Sequence, residues 1–337
     1  GQGDARQDGV SIIDVGRASG RLDRMFRASR RVYKAGAKLD ADIYHLHDPE
    51  LLPFGLLLKR NGKTVVYDAH EDVPKQLLAK PYLGPRRLKA LANSYALFER
   101  FAARRLDGIV AATPSIGGKF RLLNERTAVV NNYPLVDELF SDASWSRKTN
   151  TVCYIGGISA ARGIRELVAA MEHVRTPVRL ALAGRFSGAG LESEVRSMPG
   201  WARTDSLGFL DRNSIRELLG RSVAGLVTLH PTPNHLESHP IKLFEYMSAG
   251  IPVIASDFPL WRRIIEDADC GFCVDPADAV AIAGRIDRLV TDREEARRLG
   301  ENGRKAILER YNWPNEEQIL REFYESLSRG TPAPEFV

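Results

Sequence analysis

From Val10 onward the chain alternates short β-branched runs with stretches of helical period, the pattern of a parallel sheet covered by helices. Expected strands of a first half lie at 10–15, 42–46, 64–67, 108–111 and 128–130. Between the first two, a predicted helix over 21–39 carries Leu22, Met25, Phe26, Val32, Tyr33 and Leu39 on one side. Residues 137–150 are polar, with Ser141, Asp142, Ser144, Ser146, Arg147, Lys148 and Asn150, and hold no sustained apolar period, so they read as a linker. The alternation restarts with expected strands at 152–155, 178–183, 224–229 and 252–255, which predicts a second doubly wound α/β domain. A last helical pattern, 316–327, follows the Asn312-Trp313-Pro314 break and is expected to pack back on the first domain. The expected division is therefore 1–140, 141–312 and 313–330. A doubly wound domain opens on a buried strand, a glycine turn and a helix, whereas 1–9 is polar. The first domain is thus expected to lack its opening βαβ segment, about 30 residues.

The segment richest in chemistry is 229–256, LHPTPNHLESHPIKLFEYMSAGIPVIAS. Pro240 suits a first helical position and Gly250 a left-handed end, which bounds a helix at 240–249. Its N-terminus faces the carboxyl end of the preceding strand, where open α/β sheets bind ligands and free amides favour phosphate. Lys242 in the first turn adds a cation; Glu245 lies three residues on, along the same side, and Glu237 precedes the helix on a loop. Carboxylates beside a phosphate site make sense if they take hydroxyls, as on a ribose or a hexose. The plain alternative is a helix-surface charge and an acid favoured near a helix start. Taken alone, this segment leaves both readings open.

Glu237 and Glu245, with seven residues between them, followed by Tyr246-Met247-Ser248-Ala249-Gly250-Ile251-Pro252-Val253-Ile254, resemble the donor-site signature of the family-four retaining glycosyltransferases. The resemblance extends to Tyr154-Ile155-Gly156-Gly157-Ile158-Ser159-Ala160-Ala161-Arg162-Gly163, which is similar to the family's strand, glycine turn and basic residue. It implies a GT-B fold, two Rossmann-like domains facing a central cleft, with the donor held by the C-terminal half. It further implies that Glu245 binds the ribose, that Glu237 lies beside the donor sugar as a catalytic residue, and that Gly156, Gly157, Arg162 and Leu243 belong to the donor site. The family often carries a second basic residue where this chain has Gly157, so charge neutralisation falls on Arg162, Lys242 and Arg185. In the first half, His45-Leu46-His47-Asp48-Pro49-Glu50 and Tyr67-Asp68-Ala69-His70-Glu71-Asp72 resemble the family's loops between domains. His70 matches the histidine that contacts the donor sugar; His47, Asp48 and Glu71 fall on the acceptor side. The implied reaction moves a sugar from a UDP- or GDP-linked donor to a glycan or lipid-linked acceptor with retention, in cell-surface polysaccharide or lipopolysaccharide assembly. No metal and no cofactor is implied, because Arg162, Lys242 and helix amides stabilise the departing diphosphate.

Composition narrows the alternatives. The 337 residues, 44% hydrophobic and 27% charged, suit two soluble domains. The longest apolar stretch, 51–58, is broken by Pro53 and falls far short of the roughly 20 residues of a membrane span. Three cysteines suit a reducing compartment, and a cytoplasmic protein is expected. Cys270 and Cys273 have dithiol spacing, but Val274-Asp275-Pro276 does not continue the helix that redox chemistry needs. A net charge of +5 favours an anionic partner. Arg17, Arg21, Arg24, Arg27, Arg30, Arg31, Lys34 and Lys38 form one basic run, and Arg86, Arg87, Lys89, Arg100, Arg104 and Arg105 another; they read as solvated surface or as contacts to anionic headgroups at a membrane. Nucleic-acid binding is the non-enzyme alternative, but no zinc-finger or RNA-binding motif accompanies these runs, and no nucleic-acid partner is expected. Two other enzyme classes remain: a sugar-nucleotide epimerase of the same fold, and a metal-dependent hydrolase built on His45, His47 and His70 with Asp48, Glu71 and Asp72.

Overall fold

The structure, a computed structural model, describes residues 3–78, 84–140 and 145–329; residues 1–2 of the polar opening and 141–144 of the expected linker lie outside the described residues. Contacts divide the chain into two units: the residues up to Asn131 together with those from Glu317, and Asn132–Glu316.

The first unit begins with a hairpin. β1 (Ala5–Gln7) pairs antiparallel with β2 (Val10–Ile12), and every residue of both strands is exposed. The expected parallel strand at 10–15 is instead the second arm of this hairpin. Asp8 and Gly9 take φ of 51° and 84°, the backbone a two-residue hairpin loop demands, and Asp-Gly is its usual sequence. The expected helix over 21–39 is also interrupted: Arg21–Asp23, a wide π turn at Arg24–Ala28, then Ser29–Lys38. The wide turn rotates the apolar stripe out of register. Leu22, Met25, Phe26, Val32 and Leu39 are exposed, Leu22 by 74%, and only Tyr33 of the six is half-buried, stacking on Phe54 at 5.1 Å.

The first unit's sheet is β3 (Ile43–Leu46), β4 (Thr64–Ala69), β5 (Gly108–Ala111) and β6 (Thr127–Val129), parallel and in that order. β4 and β5 are almost wholly buried, as expected of parallel strands covered on both faces. Leu52, Leu58, Tyr67, Ala102, Leu106, Ile109 and Phe120 form the core around them.

The second unit's sheet holds β7 (Thr151–Ile155), β8 (Arg179–Ala183), β9 (Thr204–Gly208), β10 (Ala224–Val227), β11 (Val253–Ser256) and β12 (Gly271–Val274). The order β12-β11-β10-β7-β8-β9, all parallel, is the doubly wound arrangement. The chain winds outward from β7 through β8 and β9, then returns to β10 on the other side of β7. Ligands of such sheets bind at the carboxyl ends of the strands flanking that reversal. Residues 132–140 belong to this unit: Tyr133 packs on Phe244 at 4.7 Å and on Tyr311 at 5.4 Å, and Leu139 is fully buried in its core. The unit's two ends meet, with the Trp313 N–H donating to the Pro134 carbonyl at 3.0 Å. Among the described residues no helix is long and apolar enough to cross a membrane.

Candidate active site

At the reversal the chain leaves β7 through Gly156, whose φ of 105° excludes most side chains, and turns through Gly157. A 3-10 turn, Ala160–Arg162, leads to Gly163 and the helix Ile164–His173. Gly163 has φ 71°, and a Cβ there would lie 1.9 Å from the carbonyl oxygen of Thr228, just past β10. Only glycine lets the helix start so close to the neighbouring strand.

Around this turn the basic groups gather. Arg162 folds back so that Nη1 donates to the Gly157 carbonyl at 2.9 Å, and the Tyr154 hydroxyl donates to the same oxygen at 2.8 Å. Lys242, in the first turn of the helix Ile241–Ser248, lays its ammonium over the Tyr154 ring, 3.9 Å from the centroid. A Cβ built on Gly156 would touch Lys242 Nζ at 3.4 Å. That nitrogen is buried and has no hydrogen-bond partner. Burial, reinforced by the Arg162 charge and opposed by Glu245, pushes the Lys242 ammonium down to about 7. His235 joins the group: its Nδ1 donates to the His230 carbonyl at 2.9 Å, and burial followed by the charges of Arg162 and Lys242 lowers its pKa. Two cations and a histidine thus surround a glycine turn, and the most buried cation lacks an acceptor. Such a cradle suits a multiply charged anion.

One turn along the same helix, Glu245 is only 8% exposed, so it is not a surface charge. It accepts from Arg212 Nη1 at 2.6 Å, while Arg212 also grips Glu138 through Nε and Nη2 at 2.7 and 2.5 Å and holds that carboxyl below its ordinary pKa. A pocket of about 370 Å³ opens here, lined by Tyr133, Pro134, Leu135, Ile241 and Trp313 with Glu138, Arg212 and Glu245 as its charged groups. It lies beside Glu245 rather than over the glycine turn, and offers apolar walls next to a carboxylate.

The other expected donor residues separate. The helix spans Ile241–Ser248, with Pro240 as its N-cap and Ala249 as its C-cap, and Gly250 is left-handed as expected at φ 70°. Leu243 does not face a ligand: its side chain is fully buried in the core and its N–H donates to the Pro240 carbonyl. Glu237 is the exposed last residue of a short helix, Pro233–Glu237, not part of a loop. Arg185 is exposed, its guanidinium 5.0 Å from the Phe209 centroid and its carbonyl accepting from Ile158 N–H beside the glycine turn. Tyr154, Arg212 and His235 were not singled out from the sequence. Tyr154 stands inside the quoted strand motif; Arg212 follows β9, whose polar sequence TDSLG gives no strand signal.

In the first unit the paired motifs His45-x-His47 and Asp68-x-His70 emerge side by side, because β3 and β4 are in parallel register with His45 opposite Val66. Asp68, buried and without a motif of its own in the sequence, is the centre of the group. Its Oδ2 lies 3.2 Å from His45 Nε2, 3.2 Å from His47 Nδ1 and 3.4 Å from His70 Nε2. His47 Nδ1 and His70 Nε2 are 3.2 Å apart, and the imidazoles of His45, His47 and His70 stack in sequence. His45 Nδ1 bonds the Tyr324 hydroxyl. Burial, with His45 next, lowers the pKa of His47 against the opposing pull of Asp68. Of the other expected residues, Asp48 pairs with Arg24 at 2.8 Å and Glu71 accepts from Gln76. Cys270 and Cys273 flank and join β12, and burial pushes both thiols up to about 12, which leaves no reactive thiolate.

Comparison with known proteins agrees with both halves. The family "Glycosyl transferases group 1" matches residues 136–306, and the "Glycosyl transferase 4-like domain" matches residues 1–132. The phosphatidyl-myo-inositol mannosyltransferase of Mycobacterium leprae is 25% identical over 298 residues, covering 86% of this chain and 74% of the relative. Among solved structures, sucrose-phosphate synthase from Thermosynechococcus elongatus superposes with a TM-score of 0.77 at 19% identity, covering 97% of this chain and 86% of that one. HepE from Anabaena, solved in complex with UDP, superposes at 0.69 with 17% identity, covering 92% and 85%. The fold is that of the GT-B enzymes, two Rossmann-like units each built on a parallel sheet. The chain belongs to the group 1 glycosyltransferases and is a hexosyltransferase.

Proposed function

We propose that the enzyme transfers a hexosyl group from a nucleoside-diphosphate sugar to a glycan or lipid-linked acceptor, with retention at the anomeric carbon, in the assembly of a cell-surface polysaccharide or glycolipid. The observation that carries this reading is Lys242: a buried ammonium without an acceptor, set over Tyr154 between Gly156 and Arg162. A diphosphate supplies the missing acceptors, and the two cations then offset the charge that grows on it as the glycosidic C–O bond breaks. The acceptor hydroxyl attacks the anomeric carbon from the face the diphosphate leaves, and its proton passes to the departing phosphate oxygen. No metal and no cofactor enters this scheme.

Glu245 takes the ribose hydroxyls in exchange for Arg212, and the adjoining pocket, with its aromatic and aliphatic walls, takes the apolar parts of the nucleoside. Family resemblance assigns Glu237 and His70 to the donor sugar, and His47, Asp48 and Glu71 to the acceptor side. The named activity of the mycobacterial relative supports a mannosyl donor, whereas HepE was solved with UDP. Calorimetry against UDP, GDP and their glucose and mannose conjugates, in buffer containing a chelator, decides between them. Saturable binding of one nucleotide, weakened by Lys242→Met, supports the proposal; no binding to any of them overturns it.

A lipid-linked acceptor places the enzyme at a cytoplasmic membrane face. The exposed Leu22, Met25 and Phe26 beside Arg21, Arg24 and Arg27 support such contact, since apolar and basic groups together suit an anionic bilayer surface.

A further inference from the structure

We propose that the histidine cluster of the first unit is a binding site for a divalent zinc-class ion, with His47 Nδ1, His70 Nε2 and Asp68 Oδ2 as its ligands. These three atoms form a triangle with sides of 3.2, 3.2 and 3.4 Å. A tetrahedral ion with bonds of about 2.0–2.1 Å requires donors about 3.4 Å apart, so the triangle already has the dimensions of one face of that tetrahedron. Proton counting points the same way. Satisfying all three sides by hydrogen bonds needs three protons, and a carboxylate brings none. Each facing ring nitrogen carries at most one, and it can point along one side only. At least one side therefore has no proton to bridge it, and with both facing nitrogens unprotonated a cation above the triangle satisfies all three atoms at once.

The surroundings are those of a built site. His47 and His70 are held by ring stacking, and Asp68 is buried. His45 contacts the same carboxylate oxygen through Nε2 and bonds Tyr324 through Nδ1, so a Tyr324–His45–Asp68 chain fixes the orientation of the carboxylate. Outer partners of this kind orient ligands in metal centres. Every ligand comes from β4 or from the residue immediately after β3 or β4, so the parallel register assembles the site without any loop having to fold around the ion. The side chains of His47 and His70 are 63% and 51% exposed, so an ion can reach the group.

The consequence rests on the transfer reaction proposed above: an ion at this site occupies the imidazoles assigned to the sugar and the acceptor, and so inhibits transfer. Binding itself is tested independently of activity. The full chain is stripped with chelator and titrated with Zn²⁺ in competition with a chromogenic indicator. One equivalent bound by the native protein, weakened roughly tenfold or more in His47→Ala and in Asp68→Asn, supports the site. Undiminished binding in both variants overturns it, as does no binding by the native protein. Cys273→Ser and His235→Gln are controls that leave the affinity unchanged.

If the Asp68 or His47 variants fail to fold, the Co²⁺-loaded native protein decides. Tetrahedral ligand-field bands without a thiolate charge-transfer band support nitrogen and oxygen ligation; a thiolate band, or octahedral bands only, overturns it. UDP and GDP calorimetry on the same stripped protein keeps the two readings apart. Zinc binding without nucleotide binding leaves the site standing and removes the transferase reading of its consequence. Nucleotide binding without zinc binding does the reverse.

Discussion

Lys242 is the residue on which the proposed donor site turns. Its ammonium sits at about 7 when the site holds no anion, below the 10.5 of an unfolded chain. Below pH 7 both states carry the charge and the folded state bears its full burial cost. Between pH 7 and 10.5 the unfolded chain holds a proton that the folded chain does not, so the ligand-free protein gains stability as pH rises through that window. Lys242→Met removes this gain, which thermal melts across the window would record as a flatter rise in Tm. Nucleotide binding works in the opposite sense, because a diphosphate favours the charged form. At pH 8 binding should take up close to one proton, visible as a dependence of the calorimetric enthalpy on the buffer's ionisation heat. The same variant should lose that dependence and bind the nucleotide about 10- to 100-fold more weakly. Arg162, His235 and Glu245 surround the same position, so a proton uptake that persists in Lys242→Met would move the titration to His235. Glu245→Ala is expected to weaken nucleotide binding about tenfold, and His70→Ala to slow transfer while leaving nucleotide affinity unchanged; a His70 variant with weakened nucleotide binding contradicts that division of roles.

At the scale of elements, two short devices place these residues. The first is Gly163, where the helix Ile164–His173 meets β10. Gly163→Ala sets a Cβ against a backbone oxygen and strains a left-handed residue, which should cost about 3 kcal/mol in urea unfolding and displace Arg162. The second is the end of the helix Arg212–Arg221, whose first residue is the clamp on Glu245. Lys148 Nζ reaches the carbonyls of Leu219, Gly220 and Ser222 at 3.4, 3.1 and 3.0 Å, satisfying the free acceptors of the last turn and opposing its dipole. Lys148→Met should therefore lower stability by about 1–2 kcal/mol in denaturant unfolding.

Legibility from sequence followed burial. β4, β5, β7, β8, β10 and β11 are near-continuous apolar runs and stand close to where they were expected. β9 and β12 escaped notice because they are the edges of their sheet: one is polar with half-exposed residues, the other opens on glycine. The hairpin at Asp8-Gly9 carried its own signal, but an isolated pair of exposed strands has no apolar alternation to separate it from a core strand. In the candidate site, the grouping of Gly156, Arg162 and Lys242 around one glycine turn, with Glu245 one helical turn on, was legible because motif and position coincide. Arg212, Glu138 and Asp68 were not, since their roles arise from contacts across 33 residues or more of sequence, or from the pairing of two strands.

The whole molecule carries +5, and its first unit displays apolar and basic groups together on the 21–38 segment. Flotation with vesicles should show binding to anionic but not to neutral bilayers, weakening as salt shortens the Debye length below about 8 Å. Phe26→Glu with Met25→Glu should abolish it, and equal binding to both vesicle types would argue against an electrostatic contact.

The hydrogen bond between Trp313 and Pro134 has a reach beyond stability. The chain enters and leaves the second unit at neighbouring points, so in covalent terms that unit is a guest inserted into a host. A fragment of residues 132–316 closes on itself with its own sheet, its own core and all of the basic groups around the glycine turn. Expressed alone, it should fold as a compact nucleotide-binding module with the affinity of the intact enzyme and no transferase activity.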